Sequence, residues 1–485
     1  MKVRIIAIFM LACLGSIGPV QATGATSRGS DRLPFQKINP DQVLVEDLST
    51  YIPAQMQAAN VPGLSIALIR EGEIIWVKGF GVTNSITGKP VAGDTVFEAA
   101  SISKAIAAYA AMSLVERGVL TLDEPVNHFL SRPWLPTSAY AEQITLRQLL
   151  SHTSGLSNQV NPVNKSIISP PGDRYEYSGV GFLYLQEVME QATGKPLEQI
   201  AQELVFGPLE MDSSSYVNPT KIMPRLAYGH INYGSFMLLL VAVLAATFTL
   251  TLLVGLIIQR IRLGRFSLSG RLLLISYVIA ASLALAFVVY FVGNGVNKWV
   301  TLTALWLILF GGGMSLLIFL GSKLITRLPG KWQRPRIRVP FLVLCSFISA
   351  LALVLITAAL SGPVPRSPAG SPSAAFSLRT SAPDLAKFLL ELTSPQHLDP
   401  ALMAEMTSPQ VQSEKDQSWG LGIGIQQNSK GTALWHSGNN SDFHALMVID
   451  PEGRNGVVIL TNSQYGEALV NELAAHALDF EFGEE

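Results

Sequence analysis

The sequence predicts an α+β fold: one mixed sheet flanked by helices, interrupted by four membrane-spanning helices. Three observations predict it. A strand–turn–strand pattern stands near residues 62–79. A second group of short strand patterns stands near 419–427, 432–436, 443–449 and 456–461. Between the two groups lie four charge-free apolar runs, Ser235–Ile258, Leu272–Val292, Thr301–Leu320 and Phe341–Leu360.

The elements follow in chain order. Lys2 and Arg4 precede an apolar run from Ile5 to Leu14, and Val20-Gln21-Ala22 carries the small residues of a cleavage site. Residues 1–22 therefore read as a secretory signal peptide and stay outside the fold. Residues 23–234 form the first part. Here Pro62–Ile69 and Ile74–Gly79 are apolar strand patterns joined by the turn Arg70-Glu71-Gly72-Glu73, a hairpin signal. Helical pattern dominates from Ser101 to about Val205. Each of the four runs holds the roughly 20 apolar residues that a helix needs to cross hydrocarbon, so 235–360 reads as a transmembrane bundle. Residues 361–373 are a linker with Pro363, Pro365, Pro368 and Pro372. The second part, 374–485, opens with a helix from about Ala382, continues in strands with a turn at Asp450-Pro451-Glu452-Gly453, and ends in a helix near 465–479. One hairpin without neighbours makes a poor sheet. The expectation is therefore one sheet built from both parts, and an even number of spans lets the parts meet on one side.

Charge supports that topology. The loops 259–271 and 321–340 carry four and six basic residues, whereas 293–300 carries only Lys298. Basic loops stay in the cytoplasm, which puts both flanking parts outside it. The chain as a whole has 49% hydrophobic and 14% charged residues and a net charge of −1. That figure averages two unlike regions. Removing the 11 basic residues of 235–360 and the two of the leader leaves 21 basic against 35 acidic residues, a charge of −14. This excludes a basic field for nucleic acid. Of the two cysteines, Cys13 belongs to the leader and Cys345 to the fourth run, so the exported parts have no disulfide framework.

Ser101-Ile102-Ser103-Lys104 opens an apolar helix ending near Arg117. A serine and a lysine three apart share a helix face, and a lysine of lowered pKa can take the serine proton. Alone, this spacing also suits a helix N-cap. Further on stand Pro171-Gly172-Asp173-Arg174-Tyr175-Glu176-Tyr177-Ser178-Gly179 and Trp435-His436-Ser437-Gly438-Asn439. With Val61-Pro62-Gly63, Leu149–Leu156 and Arg379–Leu385, these ordered phrases resemble the serine β-lactamase and penicillin-binding-protein superfamily, in the class C and D-peptidase-like branch that includes many esterases. The resemblance covers about 45–230 and 374–480 and leaves out the four runs.

It implies that Ser101 is the acylated nucleophile, that Lys104 and Tyr177 share proton transfer, and that His436 shapes the field around the tyrosine. The backbone N–H groups of Ser101 and Asn439 would form an oxyanion hole, and Gly179, Ser437, Gly438 and Asn439 would contact substrate. The tyrosine motif of the superfamily usually reads Tyr-x-Asn; Gly179 replaces the asparagine, which turns the expectation from β-lactams toward peptides and esters. Histidine at 436 removes a fixed cation for a substrate carboxylate. No cofactor is implied. Scattered histidines, His436 and His444 among them, lack metal-ligand spacing. Gly420-x-Gly422-x-Gly424 lacks the strand–turn–helix context of a dinucleotide loop and reads as plain strand. His152 reads as structural. The expectation is a multi-pass enzyme of the plasma or inner membrane, facing outward, with membrane lipid and a small-molecule, peptide or cell-wall-derived substrate as its partners. The alternative is a non-catalytic sensor or scaffold for cell-wall fragments.

Overall fold

The computed structural model describes residues 39–160, 163–231, 364–366 and 372–478. The first part supplies α1 (Pro40–Ala58), β1 (Gly63–Arg70), β2 (Glu73–Asn84), β3 (Lys89–Pro90), β4 (Phe97–Ala100) and α2 (Ile102–Glu116). It continues with α3 (Leu146–Leu150), α4 (Gly179–Thr193), α5 (Leu197–Ala201) and β5 (Gly229–Ile231). The second part supplies β6 (Val364–Arg366), β7 (Leu378–Thr380), α6 (Ala382–Thr393), α7 (Pro400–Met406), β8 (Val411–Glu414) and β9 (Gln417–Trp419). It closes with β10 (Gly424–Asn428), β11 (Gly431–Asn439), β12 (His444–Asp450), β13 (Asn455–Thr461) and α8 (Gly466–Leu478).

Nine strands form one sheet in the order β3-β2-β1-β13-β12-β11-β10-β9-β8. The last strand of the second part, β13, lies between β1 and β12, pairing Ile66 with Ile459 on one side and Leu446 with Ile459 on the other. Both parts of the chain therefore contribute to one sheet. The expected mixed sheet is corrected: every pairing in it is antiparallel. Tight turns join β1 to β2 and β10 through β13 in succession, and hairpins make only antiparallel neighbours.

β1 and β13 are buried on both faces because helices cover both. One core packs α2, α4 and α6 against the sheet. The other packs α1 and α8 on the opposite face. Helix α2 is apolar nearly all round, with 13 of its 15 residues buried, as a central helix must be. The glycine run at 420–424 is also corrected: Gly420–Ile423 turn between β9 and β10, with Gly422 at φ +84°.

Two short ladders lie outside the main sheet. β4 pairs with β7, and β5 pairs with β6. The Pro-rich segment 361–373 thus contains a strand rather than linker alone. Ile231 pairs with Val364, so the chain on either side of residues 232–363 meets at one place. The expected leader, the four spans and both cysteines lie outside the described residues. Among the described residues, no helix is long and apolar enough to cross a membrane.

Candidate active site

Strand β4 delivers Ser101. Its pairing with β7 slips between Glu98 and Ala100, and Ala100 turns to φ +48°. A left-handed alanine costs of order 1–2 kcal/mol, so its surroundings must hold it. The Ala100 carbonyl accepts from Ser103 Oγ, which in turn accepts from the Leu378 N–H at 2.8 Å. A buried ion pair, Arg379–Glu98 at 3.4 Å, braces the same ladder.

Ser101 begins α2 in helical conformation and makes no side-chain cap, so its hydroxyl serves something other than capping. Lys104 Nζ lies 3.0 Å from Ser101 Oγ and 2.7 Å from the Ala375 carbonyl. It also lies 4.8 Å from the Tyr177 ring centre and 5.9 Å from that of Phe182. Burial lowers the pKa of Lys104 to about 7. An amine balanced near neutrality can accept a serine proton, which an ordinary lysine cannot do at that pH.

Tyr177 ends a loop held by His152. The His152 Nδ1 accepts the Ser178 N–H at 3.0 Å, and its ring centre lies 4.3 Å from that of Tyr177. Ser178 then caps α4 through Gly181 N–H. Burial first, then the Lys104 charge, holds His152 well below the usual histidine range, so it stays neutral. Its structural reading fits this geometry.

Strand β11 forms the opposite wall. His436 is buried; its Nδ1 donates to the Ser437 carbonyl at 2.7 Å. Burial, followed by the Lys104 charge, lowers its pKa to about 3, so it is neutral at ordinary pH. The Asn440 N–H donates to the Phe443 carbonyl across the β11–β12 hairpin. Alternation along the strand turns the peptide groups of Ser437 and Asn439 to the other edge. β10 covers that edge only as far as Trp435. The Asn439 peptide therefore lies on strand edge that β10 leaves open.

Gly438 and Gly179, both expected to contact substrate, also carry packing roles. A Cβ at 438 would overlap the Ala99 carbonyl, so this glycine sets how closely β11 approaches the backbone that carries Ser101. Gly179 is buried at the start of α4, and its N–H donates to Asn158 Oδ1 at 2.8 Å. A Cβ there would lie 2.7 Å from Val160 Cγ1, so a side chain at 179 would have to displace Val160. The Ser437 side chain shares a small pocket with Trp435, Asn439, His444 and Glu467, beside α8 and on the other face of β11 from His436. It lies away from Lys104. The Asn439 amide reaches Glu467 at 3.4 Å.

Two contributors escaped sequence reasoning. Trp419 packs among His152, Tyr177, Trp435 and His436 at ring separations of 5.2–6.0 Å, joining the tyrosine loop to β11. The Ala375 carbonyl anchors Lys104 through its backbone, and no side-chain pattern announces such a contact. Among the described residues no group of three or more His, Cys, Asp or Glu could hold a metal.

Comparison with known proteins fits this geometry. Residues 48–247 and 351–481 match the beta-lactamase family model. The chain belongs to the beta-lactamase family. The match falls in two blocks, on either side of residues 248–350. This beta-lactamase-family chain is 29% identical to Esterase EstB of Burkholderia gladioli over 206 residues, 36% of this chain and 52% of that one. It is 25% identical to Protein flp of Staphylococcus aureus (strain MW2) over 208 residues, 39% of this chain and 42% of that one. The matches thus span about half the length of these relatives. The fold resembles D-alanine carboxypeptidase AmpC from Burkholderia cenocepacia, with a TM-score of 0.55, 16% identity and coverage of 91% and 99%. It also resembles EstCE1, a hydrolase with promiscuous acyltransferase activity, with a TM-score of 0.56, 17% identity and coverage of 90% and 97%.

Proposed function

We propose that the protein is a multi-pass membrane serine hydrolase that acts outside the cytoplasm through an acyl-enzyme on Ser101. The observation that carries this reading is the buried Lys104 amine, 3.0 Å from Ser101 Oγ and with its pKa lowered to about 7. Ser101 Oγ attacks the acyl carbon, and its proton passes to neutral Lys104. The N–H groups of Ser101 and Asn439 stabilise the oxyanion; such a donor is worth about 10²–10³ in rate. Tyr177, beside Lys104, returns the proton to the leaving group. Water then attacks the acyl-enzyme, and the same pair works in reverse.

Esters suit this site better than β-lactams or peptides with a free carboxylate. Neutral His436 offers no cation to a carboxylate, and Gly179 has no side-chain amide. The esterase relative supports the same choice. The membrane part of the reading rests on the four apolar runs and on the basic loops between them.

The test is hydrolysis by detergent-purified protein of p-nitrophenyl butyrate, a D-Ala-D-Ala peptide and nitrocefin, with Ser101→Ala as control. The expected result is Ser101-dependent turnover, fastest on the ester. Absence of Ser101-dependent turnover of all three would overturn the reading and leave the sensor alternative.

A further inference from the structure

The β5–β6 ladder fixes where the domain meets whatever residues 232–363 form. β5 ends at Ile231, and the first apolar run begins at Ser235; the fourth run ends at Leu360, and β6 begins at Val364. On each side only four residue steps separate the ladder from an apolar run. A chain extends at most about 3.6 Å per residue, so each tether reaches about 14 Å or less. The polar headgroup layer is itself about 5–8 Å deep on each face of a bilayer. On the membrane reading proposed above, on which this inference rests, the ladder lies within about 6–9 Å of the headgroup surface.

Three large apolar side chains stand exposed on the protein surface near the ladder, among polar neighbours such as Thr87 and Lys89. Ile86 is 72% exposed, Met223 52% and Tyr228 37%. Hydrogen bonds tie all three to the ladder's surroundings. Ile86 sits in the turn whose Ser85 N–H donates to His230 Nε2 at 3.1 Å. The Tyr228 N–H donates to the Thr83 carbonyl at 2.8 Å, just before that turn. Lys89, at the turn's far end, donates to the carbonyl of Pro224, next to Met223. His230 is buried and bonded through its backbone N–H to the Asn462 carbonyl at 2.9 Å, so the group is anchored to the end of β13.

The same ladder abuts the candidate site. Gly229 packs so closely on Asp442 and Phe443 that a Cβ would overlap the Asp442 carboxylate. Asp442 and Phe443 belong to the turn that follows Asn439.

We propose that Ile86, Met223 and Tyr228 seat in the headgroup region of a lipid bilayer, and that this seat presents the Ser101 site to amphiphilic acyl substrates held in that bilayer. Exposed apolar side chains beside a membrane tether partition into the interface, and the binding strength follows the apolar area buried.

The test uses the full chain in phosphatidylcholine–phosphatidylglycerol vesicles. The variant Ile86→Asp/Met223→Asp/Tyr228→Asp is compared with wild type on a vesicle-borne long-chain p-nitrophenyl ester and on soluble p-nitrophenyl butyrate. The expected result is a rise in KM of about tenfold or more on the vesicle substrate, with unchanged kinetics on the soluble ester, which also reports intact folding. Equal kinetics on both substrates for variant and wild type would overturn the proposal. A second arm attaches a nitroxide at Ile86→Cys, with Cys13 and Cys345 replaced by serine. Oxygen accessibility above that of a water-soluble relaxant supports the bilayer seat. Full accessibility to the water-soluble relaxant overturns it, and shielding from both relaxants indicates a protein partner and overturns it too. Lack of hydrolysis of either ester would sink the hydrolase reading, while the nitroxide depth still decides the surface.

Discussion

At the scale of single residues, Lys104 holds the tension on which the proposed chemistry depends. Burial makes its charged form costly, which readies the amine as a base and also opposes folding. Because its folded pKa of about 7 lies below the ordinary 10.5, the unfolded chain binds more protons between those values. This group's contribution to stability therefore rises with pH across that window and is at its lowest below about 7. Replacing it removes the penalty. Lys104→Met is expected to raise the melting temperature at pH 7 while lowering kcat/KM about 10²–10⁴-fold; calorimetry and ester hydrolysis together check this. Activity of the wild type is expected to rise with pH through an inflection near 7, where Lys104 loses its proton. His436, neutral down to about 3, contributes nothing to that inflection. His436→Gln should therefore leave its midpoint unmoved, whatever it does to the rate; a displaced midpoint in the kcat/KM profile would assign it elsewhere.

At the scale of elements, the site is a meeting of β4, α2, the tyrosine loop and β11, and Gly438 sets the closest of these approaches. Gly438→Ala forces its methyl against the Ala99 carbonyl. Overpacking of this kind costs about 1–3 kcal/mol. The expected outcome is a lower melting temperature together with a fall in kcat that exceeds any rise in KM, since the oxyanion edge moves away from Ser101; urea denaturation and steady-state kinetics check both. The motifs around Ser101, Tyr177 and His436 were readable because each keeps a serine, lysine, tyrosine or histidine in a recognisable phrase. The strands of the second part were readable from apolar runs and the turn at Asp450–Gly453. Trp419 was not, because a lone tryptophan says nothing about which rings will surround it. The Ala375 carbonyl was not, because backbone groups leave no mark in sequence. The packing at Gly179 and Gly438 was not readable either, since a missing Cβ is visible in sequence but the atom filling its place is not.

At the scale of the whole molecule, the sheet takes strands from both sides of residues 232–363, and the β5–β6 ladder closes the gap between them. Ile231 and Val364 face each other as the last pair of that ladder. A two-residue Asn-Gly turn joins strands so placed. Replacing 232–363 with Asn-Gly is expected to give a domain that folds without the intervening segment and hydrolyses a soluble short-chain ester at a rate within a few-fold of the full chain. Circular dichroism and ester kinetics check the outcome; a chain that fails to fold would show that the segment is needed for the sheet to assemble. The antiparallel sheet itself was hidden by the same separation: β1 pairs with β13 across nearly the whole sequence, so local pattern revealed the strands but not their direction.

The most direct test of the central claim is mass spectrometry of the detergent-purified protein after fluorophosphonate labelling. One adduct is expected, on the peptide bearing Ser101, with a labelling rate that rises through pH 7 and vanishes in Ser101→Ala and nearly so in Lys104→Met. Absence of an adduct on Ser101 in folded protein, or equal labelling of Ser101→Ala, would contradict the account.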